Sequence, residues 1–257
     1  MASTLTVAAL RGAVVRYPGR ALIGPLHLDI APGEIVAVVG ASGAGKSTLL
    51  RLLAGLERPS DGLAITAAAG SGRVGFVFQA PTLMPWADAL ANVALPLELA
   101  GVPRPEARAR AAAALDAVGL GDRLTARPRQ LSGGMAMRAS LARALVVEPG
   151  LLLLDEPFAA LDSITRRRLI EDLHRLWAAR TPRPAIVFVT HDVEEAVYLA
   201  GRAVVLDAAT GRVAATLASP GVLPRPPAWR TDPAYRLGVE ALAGALAAAM
   251  PAGEAAA

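Results

Sequence analysis

The chain has 257 residues, of which 54% are hydrophobic and 19% are charged, with a formal net charge of +4 and no cysteine. Without cysteine there is no disulfide framework or cysteine-ligated metal, and no run of about eighteen uncharged apolar residues predicts a membrane span. Apart from Lys46 and the histidines, the basic residues are arginines, scattered except for the run Arg166–Arg168 on a predicted helix, and no aromatic residues are interleaved with them. We therefore expect no nucleic-acid partner. Since a signal peptide is not evident, we expect a cytoplasmic location.

Two strands open the predicted fold, at Thr4–Val15 and Leu22–Ile30. Apolar and polar residues alternate along the second segment, which is the pattern of a strand with one buried face. A turn at Ala31–Gly33 separates this pair from the next strand.

The segment from Gly40 to Thr48 matches the pattern G-x-x-x-x-G-K-[ST] between a predicted strand, Ile35–Val39, and a predicted helix, Ser47–Ala54. Its glycines allow the backbone N–H groups to point inward and bind phosphate, Lys46 reaches the β- and γ-phosphates, and the Ser47 hydroxyl ligates Mg²⁺. The alternative is a chance glycine-rich turn, and the flanking elements argue against it. The predicted nucleotide-binding residues are Gly40, Ser42, Gly43, Ala44, Gly45, Lys46, Ser47 and Thr48.

After a turn at Pro59–Gly62, a strand is predicted at Val74–Phe78, ending at Gln79. The sequence then becomes rich in alanine and leucine, and helical patterns continue until the next strand. We therefore predict a helical subdomain at about 85–147.

Leu131-Ser132-Gly133-Gly134-Met135 lies inside this helical stretch. Two glycines that open a helix, preceded by a serine hydroxyl, predict a second anion-binding helix N-terminus. Two such sites are unexpected for one nucleotide bound by one chain. They are expected if nucleotide sites form between two copies of the chain.

Four leucines, Leu151–Leu154, predict a buried strand that presents Asp155 and Glu156 at its carboxyl end, where open α/β sheets bind ligands. Asp155 can hold Mg²⁺ through water, and Glu156 can polarise the water that attacks the γ-phosphate. An ordinary Asp-Glu turn after a strand is the alternative.

Helices are predicted at Ser163–Ala179, with Asp162 or Ser163 as the N-cap, and at Val193–Ala200. Strands are predicted at Ala185–Val189, Ala203–Leu206 and Arg212–Leu217, the last two as a terminal hairpin. The alternation of strands and helices predicts a parallel α/β sheet. Residues 219–233 are proline-rich and are predicted to be irregular.

These motifs together resemble the nucleotide-binding subunit of an ATP-binding-cassette (ABC) transporter from about Thr4 to Thr216. The resemblance implies an α/β fold with a P-loop NTPase core, an N-terminal antiparallel β portion and an inserted α-helical subdomain. It implies an ATP hydrolase that uses Mg²⁺, with an ABC ATPase domain at 1–218 and a Pro/Ala-rich C-terminal tail at 219–257.

The resemblance also implies roles for single residues. Tyr17 corresponds to the aromatic residue that stacks on adenine, Gln79 to the glutamine that contacts Mg²⁺ and the attacking water, Asp162 to an aspartate at the dimer interface, and His191 to the histidine that touches the γ-phosphate. For each, the alternative is a structural role as a strand-end residue, cap or turn residue. In the Ser132 segment, which the family uses to contact ATP through Ser132, Gly133 and Gly134, Met135 replaces the usual glutamine. We expect ATP binding between two chains to survive that change.

Within the family, Thr82–Trp86, Asn92–Leu97 and Phe158–Asp162 resemble importer subunits of the nitrate/sulfonate/taurine type. Such a subunit forms a homodimer at the inner face of the cell membrane, binds integral membrane permease subunits and serves an extracytoplasmic solute-binding protein indirectly. The alternatives are the ATPase subunit of a lipid-trafficking ABC system, which the methionine-containing segment also resembles, a soluble non-transport ABC ATPase and an unrelated P-loop kinase.

Overall fold

A computed structural model describes residues 6–17, 20–66 and 73–250, without the side chains of residues 17 and 20–22. The start of the first predicted strand, at Thr4, lies outside these residues, as does the end of the predicted tail.

The described strands form a small antiparallel sheet and a larger, mostly parallel sheet. The small sheet has the order β2-β1-β4 and the larger sheet the order β5-β6-β7-β3-β8-β9, in which only β9 is antiparallel to its neighbour. The strands are β1 Ala8–Tyr17, β2 Arg20–Ile30, β3 Ile35–Gly40, β4 Asp61–Thr66, β5 Val74–Val77, β6 Leu151–Asp155, β7 Ala185–Val189, β8 Arg202–Leu206 and β9 Val213–Ala218. The antiparallel pairing of β8 with β9 confirms the predicted hairpin.

The helices divide between the sheet core and the stretch between β5 and β6. They are α1 Lys46–Leu53, α2 Ala89–Leu99, α3 Arg104–Ala117, α4 Gly133–Leu145, α5 Ser163–Ala178, α6 Val193–Leu199 and α7 Pro233–Ala248. Helices α2, α3 and α4 pack on one another, in agreement with the helical insert expected from the sequence. The predicted combination of parallel core, antiparallel β portion and helical insert is therefore confirmed.

Strand β6 shows why both faces of the parallel sheet are buried. Leu151 and Leu153 join the cluster that includes the small sheet and α1, whereas Leu152 and Leu154 join the cluster that includes the helical insert. Because side chains of a strand alternate between its faces, an uninterrupted leucine run fits a strand covered on both sides. The buried strand ends at Asp155, so Asp155 and Glu156 lie at the carboxyl edge of the sheet.

Two predictions from the sequence need correction. Residues Asp61–Thr66 form β4, an edge strand paired with β1, where only a turn was expected at Pro59–Gly62. Residues 219–233 are also not irregular throughout, because they contain a short 3-10 helix at Pro227–Thr231. Helix α7, of 16 residues, begins at Pro233, the last residue of that range. The Asp232 side chain caps α7 by accepting from the backbone N–H of Ala234 at 2.8 Å.

Candidate nucleotide site

The glycine-rich loop joins the carboxyl end of β3 to the first turn of α1. Gly43 and Gly45 have φ of +79° and +91°, a conformation that favours glycine. A Cβ at Gly40 would lie 3.0 Å from the carbonyl oxygen of Leu206, so this glycine is needed for strand packing. Ala44 is buried against the core, and therefore only its backbone is available to a ligand.

Lys46 is held in place by the loop itself. Its Nζ donates to the carbonyl oxygens of Gly40 and Ala41, both at 2.9 Å. Burial lowers the pKa of Lys46, and the nearby carboxylates of Glu156 and Asp155 oppose that shift. The ammonium is thus an ordered positive charge in a glycine-rich loop before a helix N-terminus, which is the arrangement that binds phosphate groups.

Ser47 and Asp155 bring two oxygen ligands together across the site. The Ser47 hydroxyl donates to Asp155 Oδ1 at 3.0 Å. Burial raises the pKa of Asp155, and the hydrogen bond from Ser47 opposes that effect. A hydroxyl and a carboxylate at this spacing suit Mg²⁺, which takes one or two protein oxygens and completes its shell with water and phosphate.

Glu156 lies at the centre of the other predicted catalytic groups. Its Oε2 accepts from Gln79 Nε2 at 3.1 Å and lies 3.9 Å from His191 Nδ1. Glu156 has a left-handed backbone conformation with φ of +46°, which costs a residue with a Cβ about 1–2 kcal/mol. Non-glycine residues held in this way are concentrated at functional sites.

Two adjoining cavities occupy this region, with volumes of about 270 and 280 Å³. Both are lined by Ser42, Lys46 and Glu156. The first also reaches His191, Leu246 in the last turn of α7 and Met250, which follows that helix. Sequence reasoning missed these last two residues because it gave the tail no structure. The aspartate-proline pair before α7, a common helix start, was the available signal.

The Ser132 segment lies apart from the glycine-rich loop within one chain. Neither described cavity at that loop is lined by Ser132, Gly133 or Gly134. Ser132 caps α4 by accepting from Met135 N at 3.3 Å. A Cβ at Gly134 would lie 2.5 Å from Thr165 Cγ2, whereas one at Gly133 would meet nothing within 4 Å. Gly134 is therefore required for helix packing, and Gly133 is open to a ligand.

Three other predicted site residues have distinct positions. Asp162 is the N-cap of α5 and accepts from Ile164 N and Thr165 N at 3.1 and 3.0 Å. Thr48 is buried in the first turn of α1. Tyr17 ends β1, but its side chain lies outside what the structure describes, so its stacking role stays a prediction.

Arg143 connects the Gln79 segment to the helix that begins after Ser132. Its guanidinium donates to the carbonyl oxygens of Pro81 and Thr82 at 3.0 and 2.9 Å and to Thr82 Oγ1 at 3.0 Å. No local pattern distinguishes this arginine, because its acceptors are 61 and 62 residues away along the chain.

Comparison with protein families and known proteins agrees with this geometry. The ABC transporter family model matches residues 23–159. The aliphatic sulfonates import ATP-binding protein SsuB of Mycobacterium sp. (strain MCS) is 52% identical over 212 residues, covering 82% of each chain. SsuB 1 of Pseudomonas fluorescens is 54% identical over 212 residues, covering 82% of this chain and 76% of that protein.

Two solved structures of the ATP-binding cassette MJ0796 are also similar. One is described as the dimeric structure of a bacterial ABC transporter cassette and superposes with a TM-score of 0.72 at 31% identity, over 84% of this chain and 100% of the other. The second, a dimeric post-hydrolysis state bound to ADP and Pi, gives a TM-score of 0.71 at 30% identity over the same shares of the two chains.

Proposed function

This chain belongs to the ABC transporter family, and from that premise we propose that it is the ATP-binding and hydrolysing subunit of an importer for aliphatic sulfonates. The observation that carries the proposal is the convergence of Lys46, Ser47, Asp155, Glu156 and His191 at one edge of the parallel sheet. This arrangement provides phosphate binding, metal ligands and a carboxylate beside a histidine in one place.

In this proposal each residue near the γ-phosphate has a separate task. Lys46 and the loop N–H groups neutralise the phosphate charge, which is the main way that proteins assist phosphoryl transfer. Glu156 accepts a proton from the attacking water, and Gln79 fixes the carboxylate through the hydrogen bond to Oε2. His191, whose Nδ1 lies 3.9 Å from the same Oε2, would contact the γ-phosphate.

Mg²⁺ would be held by the Ser47 hydroxyl and the Gln79 amide oxygen, and by Asp155 through water. The bound ion would stabilise the negative charge that develops on the phosphate during transfer. The oxygen-only set of a hydroxyl, a carboxylate and an amide agrees with the preferences of this cation. The 3.0 Å hydrogen bond between Ser47 and Asp155 keeps the hydroxyl and the carboxylate together.

We propose that two copies of the chain enclose two ATP molecules. The glycine-rich loop of one copy and the Ser132 segment of the other would face the same nucleotide. The exposed Ser132 and the open space at Gly133 support this arrangement. The dimeric state of the similar MJ0796 cassettes supports it as well. Tyr17 would stack on adenine and Asp162 would lie at the dimer interface.

The Ser132→Arg substitution tests the shared site. The arginine is expected to abolish tight ATP binding between two chains by filling the space of the phosphate, while a single chain keeps its own loop. A mixed dimer of Ser132→Arg with Lys46→Ala chains should retain one ATP, because one of its two sites combines unaltered halves. Bound labelled nucleotide per purified dimer measures this. If the mixed dimer retained none, or if the Ser132→Arg homodimer retained two, the shared site would be wrong.

The membrane partner is proposed to bind beside Gln79. Phe78 and Trp86 flank this segment, and their side chains are 39% and 73% exposed. Aromatic residues are enriched in protein interfaces relative to the rest of the surface. Among the described residues, no helix has both the length and the apolar character needed to cross a bilayer. We propose that permease subunits hold the protein at the inner face of the membrane and that an extracytoplasmic binding protein delivers the solute.

Growth on defined sulfur sources tests the substrate class. Deletion of the gene is expected to prevent growth with an alkanesulfonate as sole sulfur source and to leave growth with sulfate unchanged. The unaltered gene should restore growth, and a Lys46→Ala copy should not. Unimpaired growth on alkanesulfonates would contradict the proposal. A defect in membrane lipid distribution instead would favour the lipid-trafficking alternative, which the SsuB relatives do not support.

A further inference from the structure

The guanidinium of Arg166 lies between two loops that border the reacting end of the nucleotide site. Arg166 is in the first turn of α5, and its Nη2 donates to the carbonyl oxygen of Leu161 at 3.1 Å. Its Nη1 is 3.6 Å from Asp192 Oδ2, and its Nε is 3.5 Å from Glu195 Oε1. One side chain therefore contacts the loop before α5 and the start of α6.

Glu195 continues this connection into the loop that contains His191. The Glu195 carboxylate is 7% exposed, and its Oε2 accepts from Thr190 Oγ1 at 2.5 Å. The same Thr190 oxygen accepts from Asp192 N at 3.0 Å. The residues on both sides of His191 are thus fixed by one hydroxyl, and that hydroxyl is fixed by the carboxylate facing Arg166.

Burial has the largest effect on the charge of Glu195, and Arg166 is one of the groups that oppose it. Burial raises the pKa of Glu195 to about 7, the hydrogen bond from Thr190 and the charge of Arg166 lower it, and the charges of Asp192 and Glu156 add to the rise. A buried carboxylate that loses its cation becomes harder to ionise. The other charged or titratable groups around the adjoining cavity of about 130 Å³ are Arg167, Glu194, Arg230 and Tyr235.

We propose that Arg166 is a positioning residue that ties Leu161 to Asp192 and Glu195 and thereby holds His191 against Glu156. The inference rests on the proposed ATPase site. It adds a link within one chain, because Asp162, next to Leu161, is proposed to face the second copy. If the second copy contacts the loop that contains Leu161, a shift of this loop would then change the position of His191 through the guanidinium of Arg166.

Arginine suits this role through its shape as well as its charge. A planar guanidinium presents five donors in a fixed fork, whereas a lysine ammonium is a compact point charge. Lysine at this position would keep a positive charge near Glu195 but could not span Leu161, Asp192 and Glu195 together. Substitution of Arg166 with lysine therefore separates the effect of its shape from the effect of its charge.

The test compares Arg166→Gln, Arg166→Lys and Arg168→Gln in the full chain. Arg168 is an exposed arginine on the same helix, outside the proposed link, so its substitution makes the same charge change. We expect Arg166→Gln to lower kcat about tenfold, equivalent to roughly 1.4 kcal/mol of transition-state stabilisation, with the Kd for ATP changed less than twofold. The acid limb of its kcat–pH profile should move to higher pH, because Glu195 loses the charge that lowers its pKa.

Arg166→Lys should also lower kcat but leave the acid limb where it is in the unaltered protein, and Arg168→Gln should change neither. If Arg166→Gln fails to fold, Arg166→Lys decides alone, and an unchanged kcat overturns the proposal. The proposal is also overturned if Arg166→Gln behaves like Arg168→Gln. It is overturned as well if Arg166→Gln raises the Kd for ATP by as large a factor as it lowers kcat and leaves the acid limb of the kcat–pH profile unmoved. No ATP hydrolysis by the unaltered protein would instead contradict the proposed function.

Discussion

The Glu156→Gln substitution is expected to leave ATP bound and to slow its hydrolysis by about 10²–10⁴-fold, the usual contribution of a general base. Glutamine keeps the shape of the side chain but cannot accept a proton from the attacking water. The binding groups remain, because Lys46 is fixed by the carbonyl oxygens of its own loop and Ser47 by Asp155. ATP should then persist between the two chains, and the dimer should become easier to isolate.

Single-turnover hydrolysis of labelled ATP, followed by size-exclusion chromatography, measures both effects. Glu240→Gln is a matched control, because Glu240 is an exposed carboxylate on α7 and its loss should not alter the rate. Asp155→Asn should differ from Glu156→Gln by weakening the Mg²⁺-dependent binding of ATP itself. Hydrolysis by Glu156→Gln at the unaltered rate would assign the proton acceptor to another group, and His191 would be tested next.

Lys46→Ala is expected to produce the second large effect, on ATP binding. A hydrogen bond to a charged group contributes about 1.5–3 kcal/mol, so the loss of this ammonium should weaken ATP binding roughly 10–100-fold. Lys46→Arg should fail as well. The lysine is 7% exposed, and the larger, planar guanidinium does not match an opening shaped for a compact ammonium.

Equilibrium titration with ATP in the presence of Mg²⁺ measures the change, with thermal unfolding as a check that each variant is folded. Substitution with arginine is the sharper of the two experiments, because it retains the charge and alters only the shape. Normal ATP affinity and turnover in Lys46→Arg would show that the position requires a positive charge alone, and the proposed geometry of the loop would be wrong.

Much of the fold and site could be predicted from the sequence because the relevant signals are local. The phosphate loop has a positive φ at Gly43 and Gly45, a conformation that favours glycine, and the spacing of these glycines is visible in the sequence. Strand β6 is a continuous leucine run, and its last residues fall at the sheet edge where ligands bind. The proximity of Gln79 and His191 to Glu156 followed from family resemblance rather than from local pattern.

The remainder depends on contacts between segments far apart in the chain. Strand β4 was missed because its apolar residues Leu63 and Ile65 are exposed, and an edge strand of this kind carries a weak burial pattern. Helix α7 was missed because proline-rich sequence precedes it. Arg166 could not be distinguished from Arg167 and Arg168 by sequence alone, because only the folded chain places Asp192 and Glu195 beside it.

Uptake of a labelled alkanesulfonate into liposomes tests whether ATP hydrolysis by this subunit drives sulfonate import. The complete transporter, with its permease subunits and solute-binding protein, would be reconstituted with ATP and Mg²⁺ on the side of this subunit. We predict uptake that requires hydrolysable ATP and that falls with the ATPase rate in the Glu156→Gln variant. Uptake that is independent of ATP, or that proceeds unchanged with Glu156→Gln, would contradict the account.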